Sequence, residues 1–298
     1  MGHDVEIVAD DGNLCGEAPL WDPGRNRLVW LDYEAGLVFQ HTPATGDTQV
    51  ISRDLLVGGI ALNQGGRLVF GGATGLHVWS RQSDYRTIAS RLHGEPLCVN
   101  DILAGPRGQV YAGTFHWGPD GMEKHGCLFR CDPDGSLVIE DEGIELANGL
   151  GLGPDDRTLY FTDSTARSIY AYDVDPATGS LSGRRLFVRV PSDEGVPDGL
   201  TVDRQGFVWS AQWYGGRVVR YDPDGRIERS IGLPAQQVSS LAFGGHDSTD
   251  IYVTTAASSW KSPYAPPGYD FHAPNIGGAL YRIRTDIQGR PEYVARLS

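Results

Sequence analysis

The chain has 298 residues, 40% of them hydrophobic, with 40 Gly and 18 Pro spread along its whole length. That much apolar material can bury a core, which excludes a disordered chain; interior Gly and Pro cost a helix about 1 and 3 kcal/mol each, which argues against a helical one. Asp and Glu outnumber Lys and Arg 38 to 25, a net charge of −13, so phosphate backbones and anionic membranes are repelled and neither is an expected partner.

The first strand-like segment is Val5-Glu6-Ile7-Val8. After it a short apolar run behind a Gly, Asp or Asn turn recurs six times: Leu28-Val29-Trp30, Leu68-Val69-Phe70, Val110-Tyr111-Ala112, Leu159-Tyr160-Phe161, Val208-Trp209-Ser210 and Ile251-Tyr252-Val253. Their first residues lie 40, 42, 49, 49 and 43 positions apart. Each is followed by a second run, such as Leu37-Val38-Phe39 before Pro43-Ala44-Thr45-Gly46, or Leu128-Phe129-Arg130 before Asp132-Pro133-Asp134-Gly135. Strands joined by tight turns at a period of 40 to 50 residues indicate propeller blades. The predicted fold is an all-β, six-bladed β-propeller occupying 1–298 as a single domain. Val5–Val8 and the C-terminal Tyr293-Val294-Ala295 are expected to share the last blade, which protects bare sheet edges.

In a propeller, rotationally equivalent residues near the start of each innermost strand meet on the axis. Counting back 10 or 11 positions from each run reaches Glu17, Gly58, Asn100, Asn148, Asp198 and Ser240. Two carboxylates and two carboxamides at one depth are the donors of a hard cation. Calcium, magnesium and manganese fit such oxygen donors first, and zinc also accepts carboxylate. Cys127 and Cys131 have no second pair at zinc-site spacing, Gly149-x-Gly151-x-Gly153 lacks the dinucleotide-loop spacing, and no P-loop or Gly-x-Ser-x-Gly elbow occurs. No window approaches 18 uninterrupted apolar residues and Met1-Gly2-His3-Asp4 does not read as a leader. The expectation is a cytoplasmic protein whose four cysteines are reduced.

Gly16-Glu17-Ala18-Pro19-Leu20-Trp21 with Leu28-Val29-Trp30-Leu31-Asp32, Asn100-Asp101, Asn148-Gly149-Leu150 with Tyr160-Phe161-Thr162-Asp163, and Pro197-Asp198-Gly199-Leu200-Thr201-Val202-Asp203 together resemble the senescence marker protein/gluconolactonase/luciferin-regenerating enzyme family, the regucalcin-like lactonases. The resemblance runs from about residue 14 to the C-terminus. It implies a six-bladed propeller with one divalent cation, calcium foremost, and hydrolysis of lactones. By motif, Glu17, Asn148 and Asp198 are the implied metal ligands, and Asn100 touches substrate or a metal-bound water. The cation polarises the lactone carbonyl, water attacks, and Asp198 is the implied base, because a carboxylate can bind metal through one oxygen and take a proton on the other.

Two departures from that pattern bear on substrate. Cys98 stands where many sugar lactonases have Arg, and Phe115-His116-Trp117 stands where many have an acidic contact. Cys98, His116 and Trp117 are therefore expected at the substrate, and the substrate is expected to be less hydroxylated than gluconolactone or to carry an aromatic or alkyl part. Cys15 and Cys98 each precede a site residue by two, which points both thiols toward the mouth or makes them small buried hydrophobes. Trp213, Tyr214, Trp260 and His125 fall in loops near the mouth and read more readily as inter-blade packing. The partner expected is a small lactone, with no obligate protein partner. Hydrolysis of another ester or a phosphotriester, or a non-catalytic calcium-binding propeller, are the alternative readings.

Overall fold

The computed structural model describes residues 4–118, 121–258 and 263–298. Trp260 lies outside them. Among the described residues six sheets of four or five strands, their consecutive strands antiparallel, form the blades of a propeller beside two short two-stranded ribbons, and each blade is built on one of the six apolar runs. Those runs lie in the second strand of each blade. Leu28, Val29, Trp30 and Leu31 in the strand Arg27–Asp32 are fully buried, as are Leu68, Val69 and Phe70 in Arg67–Gly72. A strand covered on both faces reads as a continuous apolar run rather than an alternating one. Among the described residues the helical content is one 3-10 turn, Gln64–Gly66.

The core is divided among the gaps between neighbouring blades. Blades 1 and 2 share Leu20, Val29, Ile60 and Phe70; blades 5 and 6 share Trp209, Phe243 and Ile251, with Trp209 edge-on to Phe243 at 5.9 Å. The ring closes where Trp21 of blade 1 stacks on Tyr252 of blade 6, centroids 5.8 Å apart. Small residues allow the inner strands to converge. A Cβ on Gly149 would lie 2.2 Å from the Leu200 nitrogen, and one on Gly199 2.2 Å from Ser240 Oγ.

The N-terminal strand Val5–Ala9 pairs antiparallel with Leu280–Arg284 as the outer strand of blade 6. The C-terminal run does not join it there. Val294–Ala295 pairs parallel with Leu62 and Asn63 in the inner strand of blade 2. The reason is the path of the tail, which leaves blade 6 and runs past one end of the channel, where residues 290–293 border a cavity. Gly289 bridges Asp203 of blade 5. Arg290 then donates to the Leu152 and Gly153 carbonyls and to Asp156 of blade 4, the Arg296 amide donates to Gly108 O of blade 3, and Leu297 reaches Asn63.

Asn63 is the end point of this strap. Its Nδ2 donates to Leu297 O at 2.9 Å and its Oδ1 accepts the Leu297 amide at 3.1 Å, all buried. Asn63→Ala removes both bonds and strands two buried backbone groups. The expected cost is about 2–3 kcal/mol in urea unfolding; an unchanged midpoint would mean that the strap does not hold the ring.

Behind the strap the channel holds a cavity of about 80 Å³, bordered by Asp101, Ser240 and Glu292. Burial pushes both Asp101 and Glu292 up to about 7. A carboxyl raised in the folded state favours folding while protonated, so this contribution is complete below about pH 4 and is lost as pH rises through 7. Wild-type stability should therefore fall over that window by a few kcal/mol more than that of an Asp101→Asn, Glu292→Gln double variant. Parallel slopes in urea unfolding at pH 5 and 7.5 would contradict this.

Candidate active site

Each of the six inner strands carries a break in register near the axis, between Glu17 and Leu20, Val57 and Gly59, Val99 and Ile102, Ala147 and Leu150, Pro197 and Leu200, and Val238 and Ser240. A bulge interrupts strand alternation and re-aims side chains. Here it turns Glu17, Asn100, Asn148 and Asp198, with Gly58, into one cavity of about 180 Å³ at the end of the channel away from the strap. In blade 6 the register break falls at Ser239. Ser240 therefore borders the cavity at the other end, and Ser239 instead donates to Gly16 O. The bulge in blade 3 sends two successive polar residues to different cavities, Asn100 to that of Glu17 and Asp198 and Asp101 to the one behind the strap.

The aspartates that end two of the second strands position this floor. Asp32 accepts from the Leu14 and Cys15 amides at 2.7 and 3.0 Å, just ahead of Glu17. Asp163 accepts from the Glu145 and Leu146 amides at 3.1 and 3.0 Å, just ahead of Asn148. Ser164 holds the next link: it accepts from Asn148 Nδ2 at 2.8 Å and donates to Pro197 O at 2.7 Å, beside Asp198. Asn100 Nδ2 donates to Ala147 O and to Asn148 Oδ1, at 2.7 and 2.9 Å. With the Asn100 amide protons committed, its Oδ1 faces away from Asn148.

Glu17 and Asp198 share this floor with no cation beside them: among the described residues neither Lys nor Arg borders the cavity. Burial, then the charge of Asp198 and Asp101, pushes the Glu17 carboxyl well above the usual range. Burial, then the Asp101 charge, does the same to Asp198. Asp198 Oδ1 is buried and makes no hydrogen bond. A buried carboxylate oxygen without a partner, beside a second carboxylate and an amide oxygen, fits a hard cation held by Glu17, Asn148 and Asp198. Among the described residues no three Cys, His, Asp or Glu group together in metal-binding fashion, so the set depends on the neutral Asn148 amide. That favours oxygen-seeking ions over a structural zinc site.

Trp117 borders the cavity; Cys98 and His116 do not. His116 lies on the connection between the strands Val110–Thr114 and Trp117–Gly118, where its carbonyl accepts the Glu123 amide at 2.8 Å, and only its neighbours Phe115 and Trp117 border the cavity. Cys98 precedes the strand, which begins at Val99, so alternation does not reach it. Cys15 borders the cavity; the Cys98 thiol is raised by burial, and both thiols lie near the Tyr33 hydroxyl. Trp213 and Tyr214, read from sequence as packing, are part of the wall, together with Tyr33, Phe115 and Tyr264. Of these last three only Phe115 was signalled by the sequence, as part of Phe115-His116-Trp117. Arg167 fixes the wall from behind, donating to Tyr264 O at 3.0 Å and to the Pro191, Glu194 and Gly195 carbonyls.

A ring of six blades with two carboxylates and two carboxamides at one end of its channel defines a β-propeller with an acidic, oxygen-rich floor under an aromatic wall. Residues 15–257 match the family model described as the SMP-30/Gluconolactonase/LRE-like region, and the chain belongs to that family. It is 36% identical to pentonolactonase XacC of Haloferax volcanii over 289 residues, covering 97% of each chain. It is 31% identical to human regucalcin over 295 residues, again 97% of each. Among solved structures it is similar to luciferin-regenerating enzyme, with a TM-score of 0.89, 26% identity, and coverage of 99% of this chain and 100% of the other.

Proposed function

We propose that this protein is a divalent-cation-dependent hydrolase that opens lactones, with calcium the first-choice ion and magnesium, manganese or zinc the alternatives. The observation that carries the reading is the partnerless, buried Asp198 Oδ1 beside Glu17 and Asn148 on the floor of a cavity of small-molecule size. Membership of a family that includes a relative named pentonolactonase supports it.

A cation bound by Glu17, Asn148 and Asp198 supplies Lewis-acid polarisation of the ester carbonyl and offsets the two carboxylates. The protein's own groups do the rest. Asn148, held through Ser164, offers a neutral oxygen and keeps the site from gaining a third negative charge. Asn100 Oδ1 orients a hydroxyl or water at the reacting carbon. Asp198 takes a proton from water as the water oxygen bonds to the acyl carbon. The ring C–O bond then breaks, the proton passes to the ring oxygen, and a hydroxy acid leaves.

The test is acid release by purified, calcium-supplied protein from γ- and δ-lactones, an open-chain aryl ester and a phosphotriester. Opening of lactones in preference to the other two classes is the expected result. Turnover of the phosphotriester alone, or of nothing, would overturn the reading and favour the other hydrolase or the non-catalytic calcium-binding propeller.

A further inference from the structure

The wall above the carboxylates decides what can enter. Three aromatic pairs form it, each in edge contact: Tyr33 with Phe115 at 6.3 Å, Trp117 with Tyr264 at 6.1 Å, and Trp213 with Tyr214 at 6.0 Å. They bring together strand ends and connections of blades 1, 3, 5 and 6 and leave a surface that is mostly carbon. Trp117 commits its indole N–H to Glu145 O at 3.0 Å, so it offers the cavity only ring carbon. Tyr214 is backed by Tyr269, 4.6 Å away, which itself lies against Phe271. A wall braced this way keeps its shape. The polar side chains Glu17, Asn100, Asn148, Ser164 and Asp198 are gathered at the floor, while Thr165, the exposed Glu34 and the tyrosines are other polar residues that border the cavity.

A polyhydroxylated lactone seated here would lose water from hydroxyls on every side of its ring, and a desolvated hydroxyl needs a partner. A hydrocarbon substituent needs none, and an aryl group gains edge and stacked contacts with the wall. At about 180 Å³ the cavity lies below the roughly 300–1,000 Å³ of clefts for drug-sized ligands, which suits one small ring with a short appendage. Resting on the lactone-hydrolase reading, we propose that the substrate is a neutral lactone bearing an alkyl or aryl substituent, with its ester over the carboxylate floor and the substituent against Trp117 and its aromatic neighbours. Trp117 then acts as a specificity residue. Cys98 and His116, outside the cavity, do not.

The experiment compares kcat/KM for γ-phenyl- and γ-hexyl-γ-butyrolactone with that for unsubstituted γ-butyrolactone, glucono-1,5-lactone and xylono-1,4-lactone. The substituted lactones should lead both other groups by ~10-fold or more, chiefly through KM, as expected for contacts made equally in ground and transition states. Trp117→Ala should shrink the ratio of substituted to unsubstituted lactone by ~10-fold, and Trp117→Phe should keep most of it. Thermal unfolding of both variants shows whether the fold persists. Faster opening of the aldonolactones, or a selectivity ratio untouched in a folded Trp117→Ala, would overturn the proposal and leave the hydrolase reading standing. If no lactone is opened, the hydrolase reading fails and this inference fails with it.

Discussion

Replacing Asp198 by asparagine is expected to lower lactone turnover by ~10³-fold or more while the propeller stays folded. General-base removal alone costs about 10²- to 10⁴-fold, and the same side chain is here a proposed cation ligand. Asn148 and Asn100 remain in place, bonded through Ser164 and Ala147 rather than through Asp198, so the floor has no reason to collapse. The stability effect carries its own sign. In the cation-free protein Asp198 is buried and Glu17 feels its charge, so Asp198→Asn removes a repulsion and should raise the cation-free Tm. With calcium present the ordering should reverse. Turnover within about tenfold of wild type in a folded Asp198→Asn would remove Asp198 from the chemistry.

The second large effect is that of the cation itself. A ligand that binds only the folded state adds about 2.7 kcal/mol at a hundred times its Kd. Calcium should therefore raise the Tm of wild-type protein clearly, and chelation should return it. Protons compete for the same oxygens. Because burial holds Glu17 and Asp198 well above the ordinary carboxylate range, binding must displace protons, and the calcium increment should shrink as pH falls. A Glu17→Gln, Asp198→Asn double variant should show no increment at any pH. An equal increment in that variant, measured by differential scanning fluorimetry, would place the ion elsewhere.

The blade number and the floor were legible because both are written in the period. Each apolar run is a second strand buried on two faces, so Leu28, Leu68, Val110, Leu159, Val208 and Ile251 announce themselves without any pattern of alternation. An offset of 10 or 11 positions from them reaches the cavity of Glu17 and Asp198 in five blades. The offset fails at Ser240 because the irregularity in blade 6 sits at Ser239, and a one-residue difference sends the side chain to the other cavity. The wall was hard to read for a different reason. Tyr33 and Tyr264 stand on connections that no repeat describes, Trp213 ends the strand Val208–Trp213 beyond its apolar run, and Tyr264 lies in the long segment between the strands Asp250–Thr255 and Leu280–Arg284. The tail was misplaced because β-propensity in Tyr293-Val294-Ala295 shows that a strand forms, not which edge it joins. Its destination is set by Asn63 and by the Arg290 bonds to blade 4, partners more than 130 residues away in sequence.

The most direct test of the central claim is lactone hydrolysis by one preparation before chelation, after chelation, and after calcium is restored. Loss of acid release on chelation and its return with calcium, in wild type but not in Asp198→Asn, is the predicted result. Undiminished hydrolysis by fully stripped protein would contradict a catalytic cation at Glu17, Asn148 and Asp198.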